Sequence, residues 1–129
     1  MSKYQALRIH DPVYKTALEV FVCADPIEWQ KFMDFYGCKH KLGTPGAGKY
    51  VRLYPGDCAK DLEADSAVMF LRNKDMGVLV HELSHHIHCT FDDKDIPVNW
   101  DTSEVFAYYM EFLLNQILEA WKPKKKRKR

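Results

Sequence analysis

His81-Glu82-Leu83-Ser84-His85 packs two imidazoles and a carboxylate into five residues. On a helix, residues i and i+4 lie about 40° apart around the axis and about 6 Å apart along it, so both rings project from one face. Rings placed this way can reach a single zinc ion at about 2.0–2.1 Å. Glu82 stands beside them, where it reaches a metal-bound water more readily than the metal itself. That is the arrangement of a general base. At about 100° per residue, Leu79, Val80, Leu83 and Ile87 fall together on the far side of the same helix. The segment therefore has one apolar stripe for packing and a separate polar face for chemistry. His86 turns toward the packed side and reads as a buried, hydrogen-bonded histidine.

Zinc needs a third protein ligand, with a fourth position left open. Glu104, which follows His85 after 18 intervening residues, is the favoured candidate. It belongs to a polar stripe, Glu104, Tyr108, Glu111 and Asn115, on a segment whose other side carries Phe106, Met110, Leu113, Leu114, Ile117 and Trp121. Glu111 and His88 are the alternatives. His88 lies about 10 Å along the axis from His81, too far for all three histidines to share one ion. A structural role for Glu104 also fits the letters, because Asp101 and Glu104 have capping-box spacing.

These residues need a frame. Residues 13–23 include the alternation Leu18, Val20, Val22 and read as a strand. Asp25-Pro26-Ile27-Glu28 carries helix-start signals, and the helix it opens runs through Trp29, Phe32 and Phe35 to a stop near Gly37. Residues 49–54 alternate again, and 67–72 form a short apolar run, a buried or an edge strand. A helix over 76–88 carries the histidines, a polar loop FDDKDIPVN follows, and a last helix spans 103–121. Early strands and late helices predict an α+β fold with a short mixed sheet. Residues 1–121 form the domain, and 122–129 a disordered basic tail.

His81-Glu82-Leu83-Ser84-His85, followed by Glu104-Val105-Phe106-Ala107-Tyr108, resembles the zinc metallopeptidases of the gluzincin type. The size is similar to their minimal, phage-associated members, and Glu104-x-x-Ala107 is similar to peptidases that cleave phage or mobile-element repressors. The likeness covers roughly residues 67–115. It implies a zincin-like domain in which His81, His85 and Glu104 hold Zn2+. Glu82 would activate the bound water and return its proton to the leaving amine, and Tyr108, or less readily Tyr109, would donate to the oxyanion. It also implies that the strand at 67–72 borders the cleft and pairs with an extended protein or peptide substrate. The rival reading is a catalytically silent, zinc-stabilised regulatory or assembly protein of the same fold that binds protein or nucleic acid.

Gly43-Thr44-Pro45-Gly46-Ala47-Gly48-Lys49 matches the front of a phosphate-binding loop, but Tyr50 stands where Ser or Thr is needed. The loop also leads into a strand, not a helix N-terminus. It reads as a turn. Lys124, Lys125, Lys126, Arg127, Lys128 and Arg129 suit salt-sensitive, sequence-blind contact with nucleic acid, and equally a solubilising end without a partner. Residues 122–129 hold seven of the 19 basic residues, so the body carries 12 against 18 acids, a net of −6, although the whole chain is +1. At 47% apolar and 29% charged the composition is globular. There is no apolar run long enough to span a membrane and no secretory signal, which predicts a cytoplasmic chain, or a nuclear one in a eukaryotic host. Cys23, Cys38, Cys58 and Cys89 form no CxxC pair and read as reduced thiols.

Overall fold

The computed structural model describes residues 4–44, 46–59 and 66–123. Four strands, β1 (Tyr4–His10), β2 (Ala17–Cys23), β3 (Gly48–Leu53) and β4 (Ser66–Leu71), form one sheet in the order β1-β2-β4-β3. β1 and β2 are antiparallel, β2 and β4 parallel, β4 and β3 antiparallel. Three α-helices complete the fold: α1 (Pro26–Phe35), α2 (Met76–Asp93) and α3 (Ser103–Trp121). The α+β expectation and the mixed sheet are both realised. The N-terminal strand β1 is an addition. Only Ile9 of its seven residues is buried, so its pattern carries little apolar signal.

Pleating assigns each strand residue to a face. Leu18, Val20, Met69 and Leu71 point to α2 and α3, where Leu79, Leu83, Ile87, Leu113 and Ile117 complete a core. Phe21, Val51, Val68 and Phe70 point the other way and pack with Trp29 and Met33 of α1. β4 is buried at all six positions because it lies between β2 and β3 with helices over both faces. That corrects the expectation that this apolar run borders a cleft and pairs with substrate, since both its edges are already occupied. The strand at the sheet edge beside the histidine helix is β3.

α1 begins as its sequence requires, with Asp25 as N-cap accepting from Ile27 N at 3.0 Å. It stops before Gly37, whose φ of 66° favours glycine. α2 opens on Asp75, whose side chain accepts from Val78 N at 2.9 Å. It runs five residues beyond the expected His88 because Thr90 and Phe91 are fully buried and hold another turn onto the core. It closes where Asp95 takes a left-handed φ of 58° and Ile96 N donates to Phe91 O at 2.8 Å. Full burial of a Leu or Ile side chain contributes roughly 1.5–3 kcal/mol, so Leu79, Leu83 and Ile87 together fix the rotation of α2 about its axis. Val80 departs from the predicted stripe and is 37% exposed. α3 spans the predicted residues, led in by a 3-10 turn over Trp100–Thr102 whose capping box joins Asn99 to Thr102, not Asp101 to Glu104.

Cys38 and Cys58 are joined in a disulfide, which corrects the reading of all four cysteines as thiols; Cys23 and Cys89 are free. The bond pairs the segment after α1 with the segment after β3, where the two residues also form an isolated antiparallel bridge. Sequence spacing holds no trace of this pairing, since it depends on two loops meeting in space. Lys124 to Arg129, and with them the tail's nucleic-acid reading, lie outside the described residues. Among the described residues no helix is long and apolar enough to cross a membrane.

Candidate metal centre

The burial of Leu79, Leu83 and Ile87 turns His81 and His85 outward, and both are exposed. Their rings stand edge to face, 4.9 Å between centroids, with the two Nε2 atoms 3.2 Å apart. An ion about 2.05 Å from each nitrogen would subtend an angle of about 103° across that gap, close to tetrahedral. The pair therefore fits two adjacent zinc positions, provided both rings carry their proton on Nδ1 so that both Nε2 lone pairs converge. Without an ion, one Nε2–H can donate to the other ring instead.

Glu82 has a buried side chain with Oε1 4.0 Å from His81 Nε2. Burial holds its carboxyl above the ordinary carboxylate value, and the charges of His81, His85 and Lys49 offset part of that rise. A carboxylate made more basic at the margin of an open polar face suits a general base.

The third ligand is not assembled. Among the described residues no group of three His, Cys, Asp or Glu side chains is gathered closely enough to hold an ion. Glu104 is exposed on the first turn of α3, and no hydrogen bond ties its side chain among the described residues. The capping role that the spacing allowed it is therefore not used. Glu111 is also exposed on α3, while the exposed His88 lies against the Phe106 ring at 5.2 Å. Tyr108 is 68% exposed and is not drawn to the histidines, whereas Tyr109 is buried as expected.

Under the metal face lies a buried polar chain that the sequence showed only as one inward histidine. His86 is fully buried, with Nδ1 2.7 Å from Tyr50 Oη. Arg52 Nη1 can only donate to that hydroxyl, at 3.4 Å, so we assign the hydroxyl proton to His86 Nδ1. The His86 proton then sits on Nε2, facing Tyr109 Oη at 3.3 Å and Thr16 Oγ1 at 3.5 Å. Burial first, and the Arg52 charge second, lower the His86 pKa to about 3, so the ring is neutral. Arg52 is itself anchored by Asp93 Oδ2, at 2.8 and 3.1 Å.

Tyr50 also lays its ring near that of His85, centroids 6.5 Å apart and planes inclined by 27°. Gly48 brings β3 close to α2: a Cβ there would lie 2.8 Å from Val78 Cγ1 and 3.1 Å from Glu82 Cγ. The edge strand thus passes directly beside the candidate base. A glycine opening an alternating run was the available signal, because glycine in a strand marks close approach.

The chain matches no family in a scan of family models, no curated protein and no solved structure. Its chemistry rests on its own residues.

Proposed function

We propose that the protein is a zinc-dependent peptidase in which His81 and His85 bind the ion and Glu82 is the general base. The observation that carries this reading is the 3.2 Å approach of two outward Nε2 atoms next to a buried carboxylate, on a helix flanked by an edge strand. A bound zinc would supply Lewis-acid polarisation of the scissile carbonyl. Glu82 takes a proton from the attacking water and delivers it to the departing amine. β3, which among the described residues has a strand neighbour on one side only, offers its other edge to an extended peptide, taking the place expected for β4. Glu104 is the residue we assign to the third ligand position, since its side chain carries no competing hydrogen bond among the described residues and sits on an exposed first turn. Tyr108 remains a candidate oxyanion donor on the same exposed stripe.

A second reading is a catalytically silent, zinc-stabilised regulatory or assembly protein, although a structural zinc site needs four protein ligands and no third joins the two histidines among the described residues. Metal analysis and one substitution separate the two. The peptidase reading expects about one zinc per chain in the wild type, a fall in affinity of tenfold or more in Glu104→Ala, and loss of binding in His85→Ala. Glu82→Gln should retain zinc yet lose peptide hydrolysis by at least about a hundredfold. Zinc retained in Glu104→Ala would move the third ligand to Glu111. Hydrolysis unchanged in Glu82→Gln, or no zinc bound by the wild type when offered, would end the peptidase reading.

A further inference from the structure

Glu82 lies under one face of β3, while the opposite face of the same strand borders a cavity. Gly48 and Tyr50 point to α2, the first meeting Val78 and Glu82, the second bonding His86. Lys49 alternates to the α1 side, where with Ile27, Trp29, Gln30 and Leu42 it lines a cavity of about 270 Å³. That is slightly less than the roughly 300–1,000 Å³ of small-molecule sites, a volume suited to a side chain. Its floor is apolar, with Trp29 and Leu42 buried. Lys49 is the one charged residue among those lining it. Arg72 fixes the wall, donating from Nε to Gly46 O at 2.7 Å with its guanidinium 5.9 Å from the Trp29 ring centroid.

We propose that this cavity is a specificity pocket for an acidic side chain of a peptide lying along β3, with Lys49 as the residue that selects it. The inference rests on the peptidase reading only for what happens to the peptide afterwards. A strand added to the edge of β3 sends alternate side chains to opposite faces, so neighbours of the residue facing the histidines enter the α1 side. Apolar walls suit the methylene stem of such a residue, and Lys49 suits its carboxylate. Lys49 makes no hydrogen bond or ion pair among the described residues, so its ammonium is available to an incoming carboxylate. The N-terminus of α1 beside the cavity offers no anion site of its own, since it is already capped, with Ile27 N donating to Asp25 Oδ1 and Glu28 N to Asp25 O, which leaves Lys49 as the cation that would hold the acid.

The test uses a positional-scanning library of decapeptides carrying Glu, Gln, Leu or Lys at each position in turn. Binding is read on the zinc-loaded full chain with Glu82→Gln, and cleavage on the wild type. At one position the library should favour Glu over Gln and Lys by at least about fivefold. Adding Lys49→Glu should reverse that preference toward Lys at the same position, with an unchanged unfolding midpoint confirming the fold. An acidic preference that survives Lys49→Glu, or no acidic preference at all, overturns the pocket. Selective binding without cleavage by the wild type would sustain the pocket and sink the peptidase reading. Cleavage without acidic preference would do the reverse, and neither binding nor cleavage would remove both.

Discussion

A fully buried imidazole held neutral is a stability statement as well as a structural one. In the unfolded chain His86 titrates near the ordinary histidine value of about 6.5. In the folded protein its pKa is lowered to about 3 by burial and by Arg52. Between those two values the unfolded state binds the extra proton, so stability is fully present above about pH 6.5 and falls as the pH drops toward 3, by up to about 1.4 kcal/mol per pH unit. The groups around the ring all count in this balance: Tyr50 from β3, Tyr109 from α3 and Thr16 from the turn before β2 by their hydroxyls, and Arg52 from β3 by its charge. None offers a carboxylate directly to the ring to stabilise a cation, whereas Arg52 opposes one. Urea unfolding followed from pH 7 to pH 4 should show a midpoint that declines with acidity, and His86→Asn should flatten part of that decline. A wild-type midpoint independent of pH would show that His86 is protonated, or solvated, in the native state.

At the scale of elements, the contact that aligns the proposed base with the proposed substrate edge is the passage of β3 against α2 at Gly48. Its backbone does not need glycine for a left-handed φ; what it needs is space. A methyl group there would meet Val78 Cγ1 at 2.8 Å and the Phe70 carbonyl oxygen at 3.1 Å, and the latter is backbone and cannot rotate away. Gly48→Ala gains about 0.4–1 kcal/mol from a less free unfolded chain, but overpacking of this kind costs about 1–3 kcal/mol. The clash should prevail, giving a variant less stable by about 1 kcal/mol or more and weaker in peptide binding, read by urea unfolding and by the peptide library. A variant as stable as wild type would mean that β3 and α2 can part without loss. How much of this frame was legible follows from where the information sits. The α1 cap at Asp25, the outward face of α2 and the full extent of α3 depend on local spacing, and each could be read from the chain. The placement of β4 inside the sheet could not, because an unbroken apolar run reads alike whether one edge is free or neither is. The pair His81 and His85 was readable because one helix carries both, whereas Glu104 sits on another element, and α3 docks without bringing it into a group with them.

Over the whole molecule, the sheet separates two cores of different construction. On the α2 and α3 side, mainly aliphatic packing, joined by the rings of Phe91 and Tyr109, surrounds a buried hydrogen-bond chain, and on its outer surface lie the candidate metal ligands. On the α1 side the core is aromatic, with the Phe70 ring against those of Trp29, Phe21 and Phe32, and its margin is closed by the Cys38–Cys58 disulfide. Around that bond Lys39 N donates to Asp57 O at 3.1 Å, Ala59 N donates to Gly37 O at 3.1 Å, and the exposed His40 lies 3.3 Å from Asp57 Oδ2. Chain-entropy arguments give a cross-link closing a loop of this length, a separation of 20 residues, about 3 kcal/mol. Against the roughly 5–15 kcal/mol that holds a domain of this size together, that is a large share. Reduction, or Cys38→Ser with Cys58→Ser, should therefore lower the urea midpoint substantially, with the loss concentrated in α1 and the segment after it. Zinc binding by His81 and His85 should persist in the reduced protein while it stays folded, because the pair lies on the other side of the sheet. Hydrogen exchange can follow the two faces separately. Faster exchange confined to residues 26–44 on reduction would bear out this division, whereas equal midpoints for oxidised and reduced protein, or loss of zinc together with the disulfide, would show that the two halves are one cooperative unit coupled through β3.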